Sequence, residues 1–238
     1  MESREARLAV SYALDRASLA RLTGGVDRPA HGLVPPSLPG FGQAGTCVSC
    51  DASNTARAKS LAAEADLGSG TTIRLSYRTS TDEQKLAEGI KARLETVLGW
   101  KVELKATPVE DFTQWRDGLV GDEASGLALF AWAPDYASPY TMLWPLLGGT
   151  LVATGDNEYY NLAGWKNDRF DELMGQAVRT ASGRERTDVY KQAEKLALDD
   201  MALIPLINEG RGALVSDEYV NLEMDYDGDP TLATAALK

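Results

Sequence analysis

Histidine is scarce in this sequence, since His31 is the only one among 238 residues. It lies in a proline-rich loop without a nucleophile motif, which disfavours a Ser-His-Asp catalytic set. No GxGxxG follows a predicted strand and no P-loop occurs, so the usual nucleotide-binding motifs are missing. Asp225, Asp227 and Asp229 lack the ligand spacing and the terminal Glu of a calcium-binding loop. We therefore expect no catalytic centre, no cofactor and no metal site.

Positive charge and long apolar segments are scarce as well. The chain has 24 Lys and Arg against 35 Asp and Glu, a net charge of −11 at pH 7. Phosphate backbones and anionic membranes both attract basic surfaces, so neither nucleic acid nor a membrane is an expected partner. No apolar run approaches the roughly 20 residues that span a bilayer. Hydrophobic residues make up 44% of the chain, enough for one large domain or two small ones.

Cysteine occurs only twice, as Cys47 and Cys50 in a CxxC pattern. Zinc would need more ligands than this pair and His31 supply. A thioredoxin-type pair should open a helix directly after a strand, whereas this pair follows a loop rich in glycine and proline. A disulfide that closes the loop is the favoured interpretation, and free thiols or a redox pair remain open.

The first half of the chain alternates between strand and helix patterns. Apolar residues at every second position indicate strands, and one apolar stripe after a capping box indicates a helix. The predicted elements are helices over residues 5–22 and 54–66, a strand over 71–79, a helix from the capping box at 80–83 to Gly99, a strand over 100–107, a helix over 110–119 and a strand over 126–132. Such alternation predicts an α/β fold with parallel strands.

The second half has fewer strand signals. Helices are predicted to begin after Asn167 and after Ser182, each with one apolar stripe. Short strands are predicted over residues 202–207 and 212–216, and residues 225–238 are expected to form a loosely held tail.

The stretch FAWAPDYASPYTML, residues 130–143, ends a buried strand abruptly. Ligands of open α/β sheets bind at the carboxyl ends of the strands. Trp132 offers a flat apolar face, Asp135 a negative charge, and Tyr136 and Tyr140 amphipathic walls. That combination suits a cationic group held against an aromatic ring. The alternative is that Trp132 belongs to the core and Asp135 caps the helix that begins near residue 138.

Several segments of the chain follow one another in a familiar order. They are RLAVSYALDRASLARLTGG, GLVPPSLPGF, NTARAKSLAAEAD, FAWAPDYASP, NLAGWKNDRFDELM and RTDVYKQAEKLALDDMALIPL, between residue 7 and about residue 207. In this order they resemble the bacterial extracellular solute-binding proteins of family 5. These are the oligopeptide-, dipeptide- and nickel-binding receptors of ABC importers.

The resemblance implies an architecture. Residues 1–203 would form the C-terminal lobe of a type II periplasmic-binding-protein-like fold, α/β with a mixed sheet flanked by helices. Residues 204–238 would return towards an amino-terminal lobe, and loop 26–50 would face that lobe. The lobe and an export signal would lie outside this sequence, because Met1-Glu2-Ser3-Arg4 has no signal-peptide core. The parent would be an extracytoplasmic receptor that delivers its solute to an ABC permease and has no enzymatic activity.

The same resemblance implies site residues. Asp135 would pair with the α-ammonium of a peptide, and Trp132 would line the pocket. Tyr136, Asn161 and Glu209 would also bind the ligand. The position three residues before the Trp is an Arg in some oligopeptide binders, and it is Leu129 here. Relatives often carry aromatic residues in the last strand, where this chain has Leu206-Ile207-Asn208-Glu209. The expected ligand is therefore a peptide or another small cationic solute.

Two other function classes remain open from the sequence. One is a redox protein built on Cys47 and Cys50, which would require a lowered thiol pKa. The other is an interaction module that binds a protein partner through an exposed apolar face. A disulfide at this pair would fit an exported parent.

Overall fold

The computed structural model describes residues 1–24, 26–120 and 125–238. Its helices are α1 Arg4–Ala13, α2 Arg16–Ala20, α3 Val48–Asp51, α4 Thr55–Glu64, α5 Thr81–Leu98, α6 Phe112–Asp117, α7 Tyr140–Leu147, α8 Asp168–Arg179 and α9 Gly183–Asp199, with a 3-10 turn at Gly149–Leu151. Its strands are β1 Arg28–Pro29, β2 Thr72–Arg78, β3 Lys101–Thr107, β4 Leu127–Ala128, β5 Ile207–Asn208, β6 Tyr219–Val220, β7 Glu223–Met224, β8 Pro230–Thr231 and β9 Ala236–Leu237.

A parallel sheet of three strands, in the order β3-β2-β4, forms the centre of the first half. Leu75 of β2 lies opposite Leu104 on one side and Leu127 on the other. Helix α5 connects β2 to β3 and packs on both strands, as parallel pairing requires. The predicted α/β arrangement is therefore confirmed.

Local signals position α5 as predicted. The Ser80 hydroxyl accepts a hydrogen bond from the Glu83 amide at 3.2 Å, and the Glu83 carboxylate accepts one from the Arg78 amide at 2.8 Å. Gly99 ends the helix with φ of 68°, a left-handed conformation that glycine adopts at little cost. These caps fix the direction in which the chain leaves β2.

The continuous helix predicted over residues 5–22 is wrong. The chain breaks at Leu14 and Asp15, because Asp15 caps a second helix by accepting hydrogen bonds from the Ser18 amide at 3.1 Å and the Ser18 hydroxyl at 2.7 Å. An Asp side chain competes in this way with the helical backbone.

The strand predictions near the C-terminus are also partly wrong. Residues 212–216 form no strand, and Leu214 is fully exposed, so no sheet face is available to bury it. Of residues 202–207, only Ile207 enters a strand, because Pro205 cannot donate a ladder hydrogen bond. The tail expected to be loose, residues 225–238, contains β8 and β9, which pair with β7 and β6 of the segment just before it.

Two large apolar cores and a small third one, formed by Cys47, Cys50, Leu198 and Met201, lie within the described residues. The first surrounds the sheet and includes α1, α4 and α5. The second joins α7, α8 and α9 and takes up Val34, Leu38 and Phe41 from loop 26–50, all at most 5% exposed. These three side chains of the loop therefore pack within the chain itself. Among the described helices, none combines the length and the apolar character needed to cross a membrane.

Two segments far apart in the sequence, residues 27–29 and 207–210, meet at one antiparallel pair and are called the crossing segments below. Arg28 and Pro29 of β1 lie opposite Asn208 and Ile207 of β5. The buried Asp27 carboxylate accepts hydrogen bonds from the Thr23 hydroxyl and from the Gly210 amide, the latter at 2.8 Å. One side chain thus joins both crossing segments.

A buried arginine connects α1 with the chain before β5. Arg16 is 2% exposed, and its guanidinium donates to the carbonyls of Pro205 at 2.8 Å, Ser11 at 2.9 Å and Ser49 at 3.0 Å. A fourth bond, to the Ser11 hydroxyl, measures 2.8 Å. Burial lowers the pKa of Arg16 to about 10, so the side chain stays charged at neutral pH.

We expect Arg16→Met to lower the free energy of unfolding by about 3 kcal/mol, because three buried carbonyls lose their donor. Urea denaturation followed by circular dichroism measures this loss. Arg21→Met is the control, since Arg21 is an exposed arginine at the end of α2, and its loss should stay within about 0.5 kcal/mol. Equal losses for the two variants would contradict the structural role given to Arg16.

Candidate functional site

Aromatic side chains converge where the parallel strands end. The aromatic cluster consists of Phe112, Trp115, Phe130, Trp132 and Tyr160. Parallel strands place all their carboxyl ends at one edge of the sheet. Phe130 and Trp132 follow β4, while Phe112 and Trp115 come from α6, which follows β3. Tyr160 comes from the loop after α7, so distant segments of the chain build this edge.

Trp132 is one of the partly exposed members of the cluster. Its ring centre is 4.9 Å from that of Tyr160 and 5.8 Å from that of Phe130. The indole Nε1 donates to the Thr141 carbonyl at 2.7 Å, which fixes the ring orientation. Because the side chain is only partly buried, Trp132 serves both as part of the second core and as an accessible apolar face.

Short pairing of β4 explains how the chain reaches this position. A strand was predicted over residues 126–132, but β4 contains only Leu127 and Ala128. The Leu129 amide donates to the Ser76 carbonyl at 2.9 Å, and the chain then leaves the sheet. Residues after Leu129 therefore turn towards α6 and α7 and not along β2.

Asp135 and Tyr136 lie on the exposed turn that follows. Pro139 precedes α7 without a side-chain cap, and the Ser138 hydroxyl accepts from the Tyr140 amide at 3.3 Å. Asp135 thus does not cap this helix. Within the described residues its carboxylate forms no hydrogen bond or ion pair with protein, while its main-chain carbonyl accepts from the Tyr226 hydroxyl at 3.3 Å.

Asn161 occupies a different position from the exposed residues. It is 0% exposed, and its amide nitrogen donates to the carbonyls of Gly148 at 3.1 Å and Trp165 at 2.8 Å. Its Oδ1 is buried without a hydrogen-bond partner among the described residues. In this structure Asn161 holds the loop that carries Tyr160, and its side-chain hydrogen bonds go to backbone carbonyls.

Glu209 directly follows β5 and lies beside the β1–β5 pair. Desolvation raises the pKa of the Glu209 carboxyl, and the nearby carboxylate of Asp27 raises it further, while Arg211 acts in the opposite direction. The carboxylates of Glu83 and Asp82 also raise the pKa of Glu209, by less than Asp27 does. The residue thus belongs to an acidic group near the crossing segments.

Sequence reasoning missed Arg78, which lies at the opposite end of the cluster from Trp132. Its Cζ is 5.6 Å from the Trp115 ring centre and 5.7 Å from that of Phe112, within the range of cation–π attraction. Nη2 pairs with Glu83 Oε1 at 2.6 Å. Arg78 is the last residue of β2. Its position at the carboxyl end of a predicted strand was the feature of the sequence that could have identified it as a candidate site residue.

Two buried donors near Arg78 lack acceptors. Arg78 Nε and Trp115 Nε1 have no hydrogen-bond partner in the described part of the chain. Both groups can only donate, and an unmade buried hydrogen bond is costly. These two donors are thus buried and unsatisfied at the end of the aromatic cluster that carries Arg78.

Cys47 and Cys50 lie on the other side of the first core. A disulfide joins them with 5.2 Å between the Cα atoms, and each residue is 3% exposed. Cys47 immediately precedes the short helix α3, which the loop-like sequence did not predict. Among the described residues, no group of three or more His, Cys, Asp or Glu side chains is placed to hold a metal ion.

Known proteins resemble this chain in sequence. Residues 1–153 match the model of the bacterial extracellular solute-binding proteins, family 5, middle region. The dipeptide-binding protein DppE of Bacillus subtilis is 27% identical over 210 residues, which cover 84% of this chain and 36% of that protein. The glutathione-binding protein GsiB of Shigella dysenteriae is 28% identical over 221 residues, covering 91% of this chain and 41% of that protein.

Solved structures share the fold. HbpA2 from Haemophilus parasuis superposes with a TM-score of 0.80 at 19% identity, over 99% of this chain and 45% of that one. The predicted type II periplasmic-binding-protein fold is thereby confirmed. This chain spans about two fifths of the length of the curated relatives it matches. Because the family model matches well over half of the residues, the chain belongs to the bacterial extracellular solute-binding proteins of family 5.

Proposed function

We propose that this chain is a ligand-binding lobe of an ABC importer's solute receptor, and that its ligands are short peptides or similar small cationic solutes. The observation that carries the proposal is the exposed Asp135 carboxylate, which has no protein partner among the described residues and stands three residues from Trp132. A carboxylate beside an aromatic face attracts an ammonium group. Two relatives are named for binding a dipeptide and glutathione, which supports this ligand class.

The two ends of the aromatic cluster suit the two ends of a peptide. Asp135 follows Trp132 at one end, and the Arg78 guanidinium lies over Trp115 at the other. Phe130 connects them, with ring centres 5.7 Å from Trp115 and 5.8 Å from Trp132. The ligand would place its ammonium at Asp135 and its carboxylate at Arg78, where two buried donors lack acceptors. Tyr136 would line the ammonium end of the site. Asn161 would support the site by holding the loop that carries Tyr160.

The division of the chain is part of the proposal. Residues 1–203 would form the C-terminal lobe, and residues 204–238 would return towards an amino-terminal lobe. The exposed apolar side chains of Leu214, Leu232 and Leu237, each at least 69% exposed, support a packing partner for this segment. Glu209, in one of the crossing segments, would face the ligand only when the two lobes close. The parent would act outside the cytoplasm, deliver solute to an ABC permease and catalyse no reaction.

The ammonium end can be tested with trialanine and N-acetyl-trialanine. We expect the chain to bind trialanine about tenfold more tightly, because acetylation removes a charge-assisted contact. Asp135→Asn should remove this preference. Chemical-shift titration of the indole N–H signals measures both affinities even when binding by one lobe is weak.

Asp156→Asn is the matched control, since Asp156 is an exposed aspartate on the loop after α7, and it should leave the preference unchanged. A preference that survives in Asp135→Asn would show that the ammonium binds elsewhere.

The carboxylate end can be tested with trialanine and trialanine amide. We expect the free acid to bind about tenfold more tightly than the amide, and Arg78→Met to abolish the difference. Arg74→Met, which removes an exposed arginine of the same strand, is the control. Loss of discrimination in both variants, or in neither, would contradict the role of Arg78.

A further inference from the structure

A second concave surface lies away from the aromatic cluster. It is a half-open depression with a volume of about 510 Å³, lined by α1, α4, α9 and the loop that leads to the disulfide. None of the five aromatic-cluster residues lines it, and neither do Arg78 or Asp135. Volumes of this size accommodate small organic ligands.

Positive side chains predominate on the walls of this cavity. Arg4 comes from α1, Arg57 from α4, and Lys191 and Lys195 from α9. The acidic side chains on its walls are Glu194 and Asp199. Basic residues outnumber acidic ones on these walls although the whole chain has a net charge of −11. Charged side chains of one sign around a concave surface focus the electric field on an oppositely charged ligand.

The two acidic side chains are already engaged. Glu194 is 1% exposed, and its Oε1 accepts from the amides of Leu33 at 2.8 Å and Val34 at 2.9 Å. The Asp199 carboxylate accepts two bonds from Lys195 Nζ, both at 2.7 Å. Neither carboxylate pairs with Lys191 or Arg57.

Lys191 and Arg4 form no ion pair within the described residues, whereas Lys195 pairs with Asp199 and Arg57 has an exposed contact of 3.3 Å with Glu64. The Lys191 Nζ lies 5.9 Å from the ring centre of Phe41. Lys191 and Lys195 are four residues apart and lie on one helix face. A multivalent anion would pair with Lys191 and Arg4 and would share Lys195 and Arg57 with their carboxylate partners.

Neutral donors complete the surface. Tyr12 and Gln43 line the same cavity and carry groups that can donate hydrogen bonds. The disulfide-bonded Cys47 and the aromatic ring of Phe41 also line it, so the wall formed by loop 40–49 is anchored at both of these residues.

We propose that this cavity binds a small anion carrying at least two carboxylate or phosphate charges, held by Lys191, Lys195, Arg4 and Arg57. The site is separate from the proposed peptide site, and an anion bound there can be present together with a peptide. By mass action, such an anion also stabilises the folded chain.

Citrate and glycerol phosphate are the probes, titrated into the full chain and followed by isothermal calorimetry. We expect at least one of them to bind, and the double variant Lys191→Met, Lys195→Met to weaken that binding about tenfold or more. Binding of citrate alone would assign a polycarboxylate ligand, and binding of glycerol phosphate alone a phosphate ester.

The control is Lys85→Met, Lys101→Met, which removes the same charge from two lysines in surface ion pairs elsewhere on the chain. It should change the affinity less than about twofold, with circular dichroism confirming that both double variants are folded. Equal weakening by the two double variants, or no binding of either probe at about 20 mM, would overturn the proposal. Trialanine binding is measured in parallel, so failure here leaves the peptide proposal independently tested.

Discussion

The point at which β4 leaves the sheet determines the rest of the candidate site. Leu129 makes the last backbone hydrogen bond to β2, at 2.9 Å from the Ser76 carbonyl, and the chain then turns away. Since β2, β3 and β4 are parallel, the residues that follow them share one edge. An early exit allows Phe130 and Trp132 to stack with side chains from α6 and from the loop after α7. If β4 continued to Trp132, the rings of Phe130 and Trp132 would both lie on one face of the sheet and not at its edge.

The local charge at the candidate binding surfaces differs from the acidic composition of the whole chain. The chain is strongly acidic, yet Lys191 and Arg4 at the α9 cavity form no ion pair within the described residues, and the Asp135 carboxylate has no protein partner there. Glu83 pairs with Arg78 and Asp199 with Lys195, so each pair cancels much of its own field and the unpaired groups determine the local sign. One acidic chain can thereby present an anionic group to ammonium at one place and cationic groups to carboxylates at two others.

Local signals in the sequence predicted the parallel α/β core and its caps. Ser80, Glu83 and Gly99 act within a few residues of their partners, and such interactions can be read from a pattern. The break at Asp15 was missed because an apolar stripe continues on both sides of it. Residues 212–216 have a strand-like composition but no neighbouring strand to pair with, which composition cannot reveal.

Residues of the candidate site could be predicted only where they belong to one short segment of the sequence. Trp132 and Asp135 share a short motif, whereas Arg78, Trp115 and Tyr160 meet them through packing between distant segments. The buried position of Asn161 likewise depends on the carbonyls of Gly148 and Trp165, which no motif identifies. The most direct test of the account is the set of intermolecular nuclear Overhauser contacts between trialanine and the assigned chain. Contacts from the alanine methyls to the rings of Trp132 and Tyr160 are predicted, and contacts confined to other surfaces would contradict a ligand site at this edge of the sheet.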